Sequence, residues 1–325
     1  MIFIENLIFI TFISLLSFQI VSGIRQPPTM MSGTNKDGAF FTLNITASSL
    51  LVSNTMPLNG TFMFGMLAGD GNDFNFLALS PKDFPKQPDP FAPGEIIVYD
   101  SLENTIVVKE QTAIVNWDFY YDYIRNMCWD QKNNIIYYMT TAGDSYTVVI
   151  IIDTPNQNST RKLVSKKLSP VMDGYYDSEN NIYYAGYLVF GSVDTYFKIF
   201  YLSNNTESET YIFQPYISGG EFWKLFIYQS KVYVGVFGPR NSNIVYICMV
   251  DFEARTLIEI VKNPVEPKST IDLVFDPNGY IIFFEWNYSN GLMVLNTFDL
   301  ETQLFVTNST IQGPLGNGDY FLLAQ

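Results

Sequence analysis

The chain has 325 residues, 32 acidic against 18 basic, a net charge of −14 and no histidine. That charge disfavours nucleic acid and anionic membrane surfaces as partners. The missing imidazole excludes Ser-His-Asp and Cys-His nucleophile systems and any His-ligated zinc, copper or haem.

Residues 1–23 stand apart. An apolar stretch from Leu7 to Ile20 has the length of a secretory signal core and is too short to span a bilayer of roughly 30 Å as a helix. Val21-Ser22-Gly23 then offers small residues for a signal peptidase, although the leading segment carries Glu5 and no Lys or Arg. The expectation is a cleaved signal peptide over 1–23, a flexible segment over 24–38 and one domain over 39–325. No later run has the length of a membrane-inserted helix. The expected location is extracellular, with the endolysosomal lumen as the alternative end of the same route.

From about residue 58 a block recurs whose closing residues, Asp100, Asp153, Ser203, Asp251 and Asp299, are 53, 50, 48 and 48 positions apart. Each copy has a hairpin signal upstream. Asp130-Gln-Lys-Asn-Asn134 precedes Ile135 to Met139, Asp177-Ser-Glu-Asn-Asn181 precedes Ile182 to Tyr184, and Asp276-Pro-Asn-Gly279 precedes Tyr280 to Phe284. In one copy the turn is the degenerate Tyr228-Gln-Ser-Lys231. Asp, Asn and Gly supply the side-chain hydrogen bonds and positive φ angles of tight turns, and the β-branched and aromatic runs beside them suit strands. Each copy reads as four strands, so the spacing predicts an all-β fold, a β-propeller of four-stranded blades. A two-sheet sandwich does not predict one period kept over five copies. Leftover strand-like segments at Ala39 to Val52 and Asp319 to Ala324 suggest a sixth blade closed by pairing of N- and C-terminal strands, which would remove exposed edges; five or seven blades stay open.

Six Asn-x-Ser/Thr sequons, at Asn44, Asn59, Asn158, Asn204, Asn287 and Asn308, make the chain a candidate glycoprotein. Cys128 and Cys248 fall two blades apart, too far for a disulfide, and are expected to be free thiols. Gly69-Asp-Gly-Asn-Asp73 reads as a turn rather than a calcium loop, and Pro81 to Gly94, with five prolines, as a binding loop or stiff connector.

Four residues before each hairpin Asp or its counterpart stand Asn126, Asp173, Lys224 and Asp272. A propeller gathers such strand starts around its channel, so Asn126, Asp173 and Asp272 are candidate metal ligands for Ca²⁺ or Mg²⁺, with Glu221 nearby. The competing reading is that they satisfy backbone groups between blades. The phrases Asn126-Met-Cys-Trp-Asp130 and Asp173-Gly-Tyr-Tyr-Asp177, with their aromatic strands, resemble repeats of the gluconolactonase-like, NHL and YVTN propellers. That resemblance implies a divalent ion held by strand-start Asn and Asp, acting on a lactone; the strand-to-hairpin spacing here is one residue shorter. No other cofactor is expected. The leading expectation is a secreted module that binds an extracellular protein or glycan through an aromatic face. The alternatives are a metal-dependent, lactonase-like hydrolase without histidine, and a structural extracellular component.

Overall fold

The computed structural model describes residues 25–35, 39–55, 66–69, 75–81, 94–100, 103–112, 125–130, 133, 135–142, 146–153, 156, 158–166, 172–189, 191–218, 220–239, 242–266, 269–287, 289–312 and 320–324. The expected signal peptide, Asn59, Asp70 to Asp73 and most of the proline-rich stretch lie outside them. Every described element of regular structure is a strand, and all strand pairs are antiparallel.

Among the described residues, six sheets follow one another along the chain. β1 (Met30–Asn35), β2 (Ala39–Asn44) and β3 (Ser49–Thr55) begin the first. β4 (Met66–Gly69), β5 (Asn75–Pro81), β6 (Gly94–Asp100) and β7 (Thr105–Thr112) form the second. β8 (Arg125–Asp130), β9 (Ile135–Ala142), β10 (Tyr146–Asp153) and β11 (Asn158–Ser165) form the third. The fourth has β12 (Met172–Asp177), β13 (Ile182–Leu188), β14 (Thr195–Tyr201) and β15 (Thr206–Glu207), with β16 (Tyr211–Phe213) also pairing β14. β17 (Glu221–Tyr228), β18 (Lys231–Phe237), β19 (Ile244–Asp251) and β20 (Thr256–Pro264) form the fifth. β21 (Thr270–Asp276), β22 (Tyr280–Asn287), β23 (Leu292–Asp299) and β24 (Leu304–Gln312) form the sixth. The last strand, β25 (Tyr320–Ala324), pairs with β1, giving the first sheet the order β25-β1-β2-β3.

The hairpins form where turn chemistry is strongest. Asp177 Oδ1 accepts the Glu179 and Asn180 amides at 3.0 and 3.3 Å, and Asn181 takes φ 54°. Asp130 accepts the Asn133 amide at 3.2 Å, and Asp276 that of Asn278 at 3.0 Å ahead of Gly279 at φ 87°. The degenerate turn folds the same way, with Gln229 and Ser230 both at positive φ, 49° and 57°.

Middle strands are covered on both faces, which is why they read as continuous apolar runs instead of alternating ones. β22 is buried from Tyr280 to Trp286, whereas β20 and β24, at the sheet edges, are largely exposed. The core lies between sheets. Tyr137 and Met139 of the third pack with Tyr183 and Tyr187 of the fourth. Phe197 and Phe213 of the fourth pack with Leu225 and Val234 of the fifth. Phe226 and Ile247 of the fifth meet Leu273 and Phe283 of the sixth, and Phe284 and Leu295 of the sixth meet Met31 and Phe41 of the first. Each side chain of this size contributes about 1.5–3 kcal/mol when buried.

Residues 30–35, within the stretch expected to be flexible, form β1. Ser32 and Gly33 read as linker, but Met31, Ser32 and Gly33 are all buried, and the Ser32 and Thr42 hydroxyls bond each other at 2.9 Å. The Ala39 to Val52 stretch supplies β2 and part of β3, and it is β1 that meets the carboxyl-terminal strand.

Candidate functional site

The strand-start residues lie on β8, β12, β17 and β21, the leading strands of four successive sheets, with β12 beside both β8 and β17. Asp173 on β12 is fully buried. Its Oδ1 accepts the Gly174 amide at 3.0 Å and its Oδ2 accepts the Leu225 amide of β17 at 2.6 Å. The next contact continues from β17. Lys224 Nζ donates to Leu273 O at 2.6 Å and to Asp272 Oδ1 at 3.1 Å on β21, where Asp272 Oδ1 also accepts the Leu273 amide at 2.8 Å. On the other side, Cys128 Sγ of β8 accepts the Tyr176 amide of β12 at 3.4 Å. Side chains thus tie β8 to β12, β12 to β17 and β17 to β21, the first seam also by the Tyr176 hydroxyl donating to Asp130 Oδ2 at 3.0 Å.

This placement favours the backbone-capping role. The donor set as arranged does not fit a divalent cation: an ammonium group already sits on Asp272, and each oxygen of Asp173 faces an amide N–H. Among the described residues, no three His, Cys, Asp or Glu side chains are grouped as a metal site. Asn126 lies on β8 where the register shifts between Arg125 and Cys128, and its side chain and that of Glu221 lie outside the described residues. β17 has a similar shift between Phe222 and Lys224. A bulge re-aims the side chains that follow it, and simple spacing does not register that change.

Gly174 is required by close approach, because a Cβ there would meet the buried Tyr183 hydroxyl at 1.9 Å. The two cysteines are not disulfide-bonded, Cys128 half-buried on β8 and Cys248 buried on β19. Burial pushes both up to about 12, which removes them as thiolate nucleophiles at neutral pH.

Three sequons sit in turns with the asparagine oxygen engaged by its own sequon. Asn204 Oδ1 accepts the Thr206 hydroxyl at 2.6 Å, Asn287 Oδ1 the Ser289 hydroxyl at 2.6 Å, and Asn44 Oδ1 the Thr46 hydroxyl at 2.9 Å. Asn158 is exposed at the start of β11, and Asn308 lies inside β24, its amide nitrogen donating to Asn296 Oδ1.

Among the described residues, the aromatic side chains expected on a binding face are mostly core, and of the exposed large hydrophobic residues only Tyr146 and Phe305 are aromatic. Most of the exposed apolar residues described fall instead on edge strands. Leu304, Phe305 and Val306 open β24, Leu50 and Leu51 lie on β3, and these two strands are neighbours.

The chain matches no protein-family model and no curated protein sequence. Its backbone is similar to solved structures. TolB from Acinetobacter baumannii superposes with a TM-score of 0.57 at 9% identity, over 94% of this chain and 69% of that one. A luciferin-regenerating enzyme superposes with a TM-score of 0.51 at 9% identity, over 89% of this chain and 91% of the other. Likeness at this identity speaks to fold alone. Both are propeller-like, and the class of this protein follows: all-β, built of antiparallel sheets, with a propeller-like fold.

Proposed function

We propose that the six sheets are the blades of one six-bladed propeller, shut by the β25–β1 pairing, and that the chain is a secreted glycoprotein acting as a binding module for another extracellular protein. The apolar seams running from the third sheet to the sixth and on to the first support the ring. The observation that carries the binding reading is the exposed Leu304-Phe305-Val306 run on the edge strand β24, beside Leu50 and Leu51 on β3. A sheet edge offers unpaired N–H and C=O groups, and apolar side chains there favour a partner that adds a strand or covers the edge. A glycan ligand would call for exposed aromatic platforms, of which the described surface has few.

The lactonase-like alternative rests on Asn126, Asp173 and Asp272, and both carboxylates of the set already hold neighbouring sheets together. The fold shared with the luciferin-regenerating enzyme adds nothing about its chemistry to this chain.

The test is affinity capture from native extracellular material with the glycosylated protein, alongside Phe305→Glu and Leu51→Glu variants. A specific partner should be retained by the parent and lost by both variants. Equal capture by all three sinks the edge-strand reading. A calcium-dependent lactone hydrolysis by the purified protein would replace it with the enzymatic one.

A further inference from the structure

The guanidinium of Arg25, five residues before β1, is enclosed by residues from two sheets. Nη1 donates to the Tyr228 hydroxyl at 3.1 Å and to the Asn278 carbonyl at 2.6 Å. Nη2 donates to Asp299 Oδ1 and lies 3.5 Å from Glu301 Oε2. The Tyr280 ring centroid is 4.5 Å from the guanidinium carbon and that of Tyr228 is 5.7 Å away. The Tyr280 hydroxyl donates in turn to the Arg25 carbonyl at 3.2 Å. Glycine is needed at position 279, where φ is +87° and a Cβ would approach Arg25 Nη1 to 2.7 Å and Tyr228 Cζ to 2.4 Å.

These walls are fastened to one another without Arg25. The Tyr228 hydroxyl donates to Glu301 Oε1 at 2.5 Å, and Gln229 Nε2 bridges that same oxygen and the Tyr228 hydroxyl, at 3.1 Å each. Asp299 Oδ1 accepts the Glu301 amide at 2.9 Å, and Asp276 holds the Asn278 amide. A receptor whose walls are set before the ligand arrives spends little of its binding energy on ordering them. Two carboxylates, a carbonyl and two tyrosine rings complement a planar fork of N–H donors and suit a compact ammonium group poorly.

We propose that this rim between the fifth and sixth sheets is an arginine-binding site in its own right, filled in cis by Arg25, and able to take the arginine of an extended peptide in trans when Arg25 is absent or withdrawn. The site requires neither the propeller ring nor the edge-strand partner.

The experiment uses the full chain carrying Arg25→Ala, titrated with ethylguanidinium, with the peptide acetyl-Arg-Gln-Pro-Pro-amide and with butylammonium, and followed by calorimetry and thermal unfolding. Ethylguanidinium and the peptide should bind the variant saturably and restore at least half of the lost unfolding temperature, the peptide at the lower concentration. Butylammonium should do neither, and the parent chain should respond to none of the three. If Arg25→Ala does not fold, Arg25→Lys takes its place, with the same order of ligands expected. A variant that ignores guanidinium ligands, or a parent chain that responds as strongly as the variant, overturns the proposal.

Discussion

Asp173 serves a sheet other than its own: its Oδ2 accepts the Leu225 amide at 2.6 Å across the seam between β12 and β17. Removing this fully buried carboxylate strands two amide donors, those of Leu225 and Gly174. Asp173→Ala should therefore lower unfolding stability by about 2–4 kcal/mol, read from denaturant titration. Asp173→Asn should also cost stability, because its NH₂ group must face one of those N–H groups. A loss below about 1 kcal/mol for the alanine variant would remove the stapling role.

The Lys224–Asp272 pair keeps some solvent access, with side-chain exposures of 19% and 25%. A double-mutant cycle with Lys224→Met and Asp272→Asn should give a coupling energy of about 1 kcal/mol, reduced by salt. Calcium or magnesium added to the parent chain should leave its unfolding temperature unchanged, since the ammonium occupies the carboxylate that an ion would need. A rise with calcium would return Asp272 to the ligand set.

Ser230 holds φ 57° in the Tyr228-to-Lys231 turn, an angle glycine adopts without penalty. Ser230→Gly gives up an exposed hydrogen bond from Asn180 at 3.1 Å. Relief of the backbone should still leave a gain of about 0.5–1 kcal/mol, seen as a higher denaturation midpoint.

Expression through a secretory pathway should yield full glycan occupancy at Asn204, Asn287 and Asn44, whose sequons lie in turns, and low occupancy at Asn308, whose amide is bonded across β24 to Asn296. Peptide-level mass spectrometry before and after glycosidase treatment reads this directly. Occupancy at Asn308 equal to that at Asn204 would contradict it.

Burial pushes the Asp299 carboxyl up, but the Glu301 amide, Arg25 and Thr302 together bring it below the ordinary aspartate range. A depressed folded-state value contributes stability above the unfolded value of about 3.9, and this is lost as pH falls through the folded value. The stability difference between the parent and Arg25→Ala should be level from neutral pH to about pH 5 and narrow below about pH 4. Asp276, raised mainly by burial, works in the opposite direction: its stability is present at low pH and lost as pH rises through its folded value. Repeating the comparison in an Asp299→Asn background isolates the Asp299 contribution, because Arg25 also acts on Asp276.

The hairpins at Asp130, Asp177 and Asp276 were legible in the sequence because each turn carries its own chemistry within a few residues. The all-β class was legible because strands buried on both faces leave long apolar runs. β1 was not, since Ser32, Gly33 and Thr34 resemble a linker and become a strand only through partners supplied by β2 and the far end of the chain. The strand starts were found as positions, but Asn126 and Lys224 stand at register shifts in β8 and β17 that no spacing rule records. The Arg25 enclosure was invisible: its walls come from residues more than 200 positions downstream, and only the turn glycine at 279 marks any of them.

Met31 pairs with Ala324, so the first sheet draws on both ends of the sequence. During synthesis β1 must wait, its hydrogen-bonding edge open, until Tyr320–Ala324 has emerged. Completion of that sheet therefore has a long loop to close, and the interval before it is when chaperones would find the chain most vulnerable.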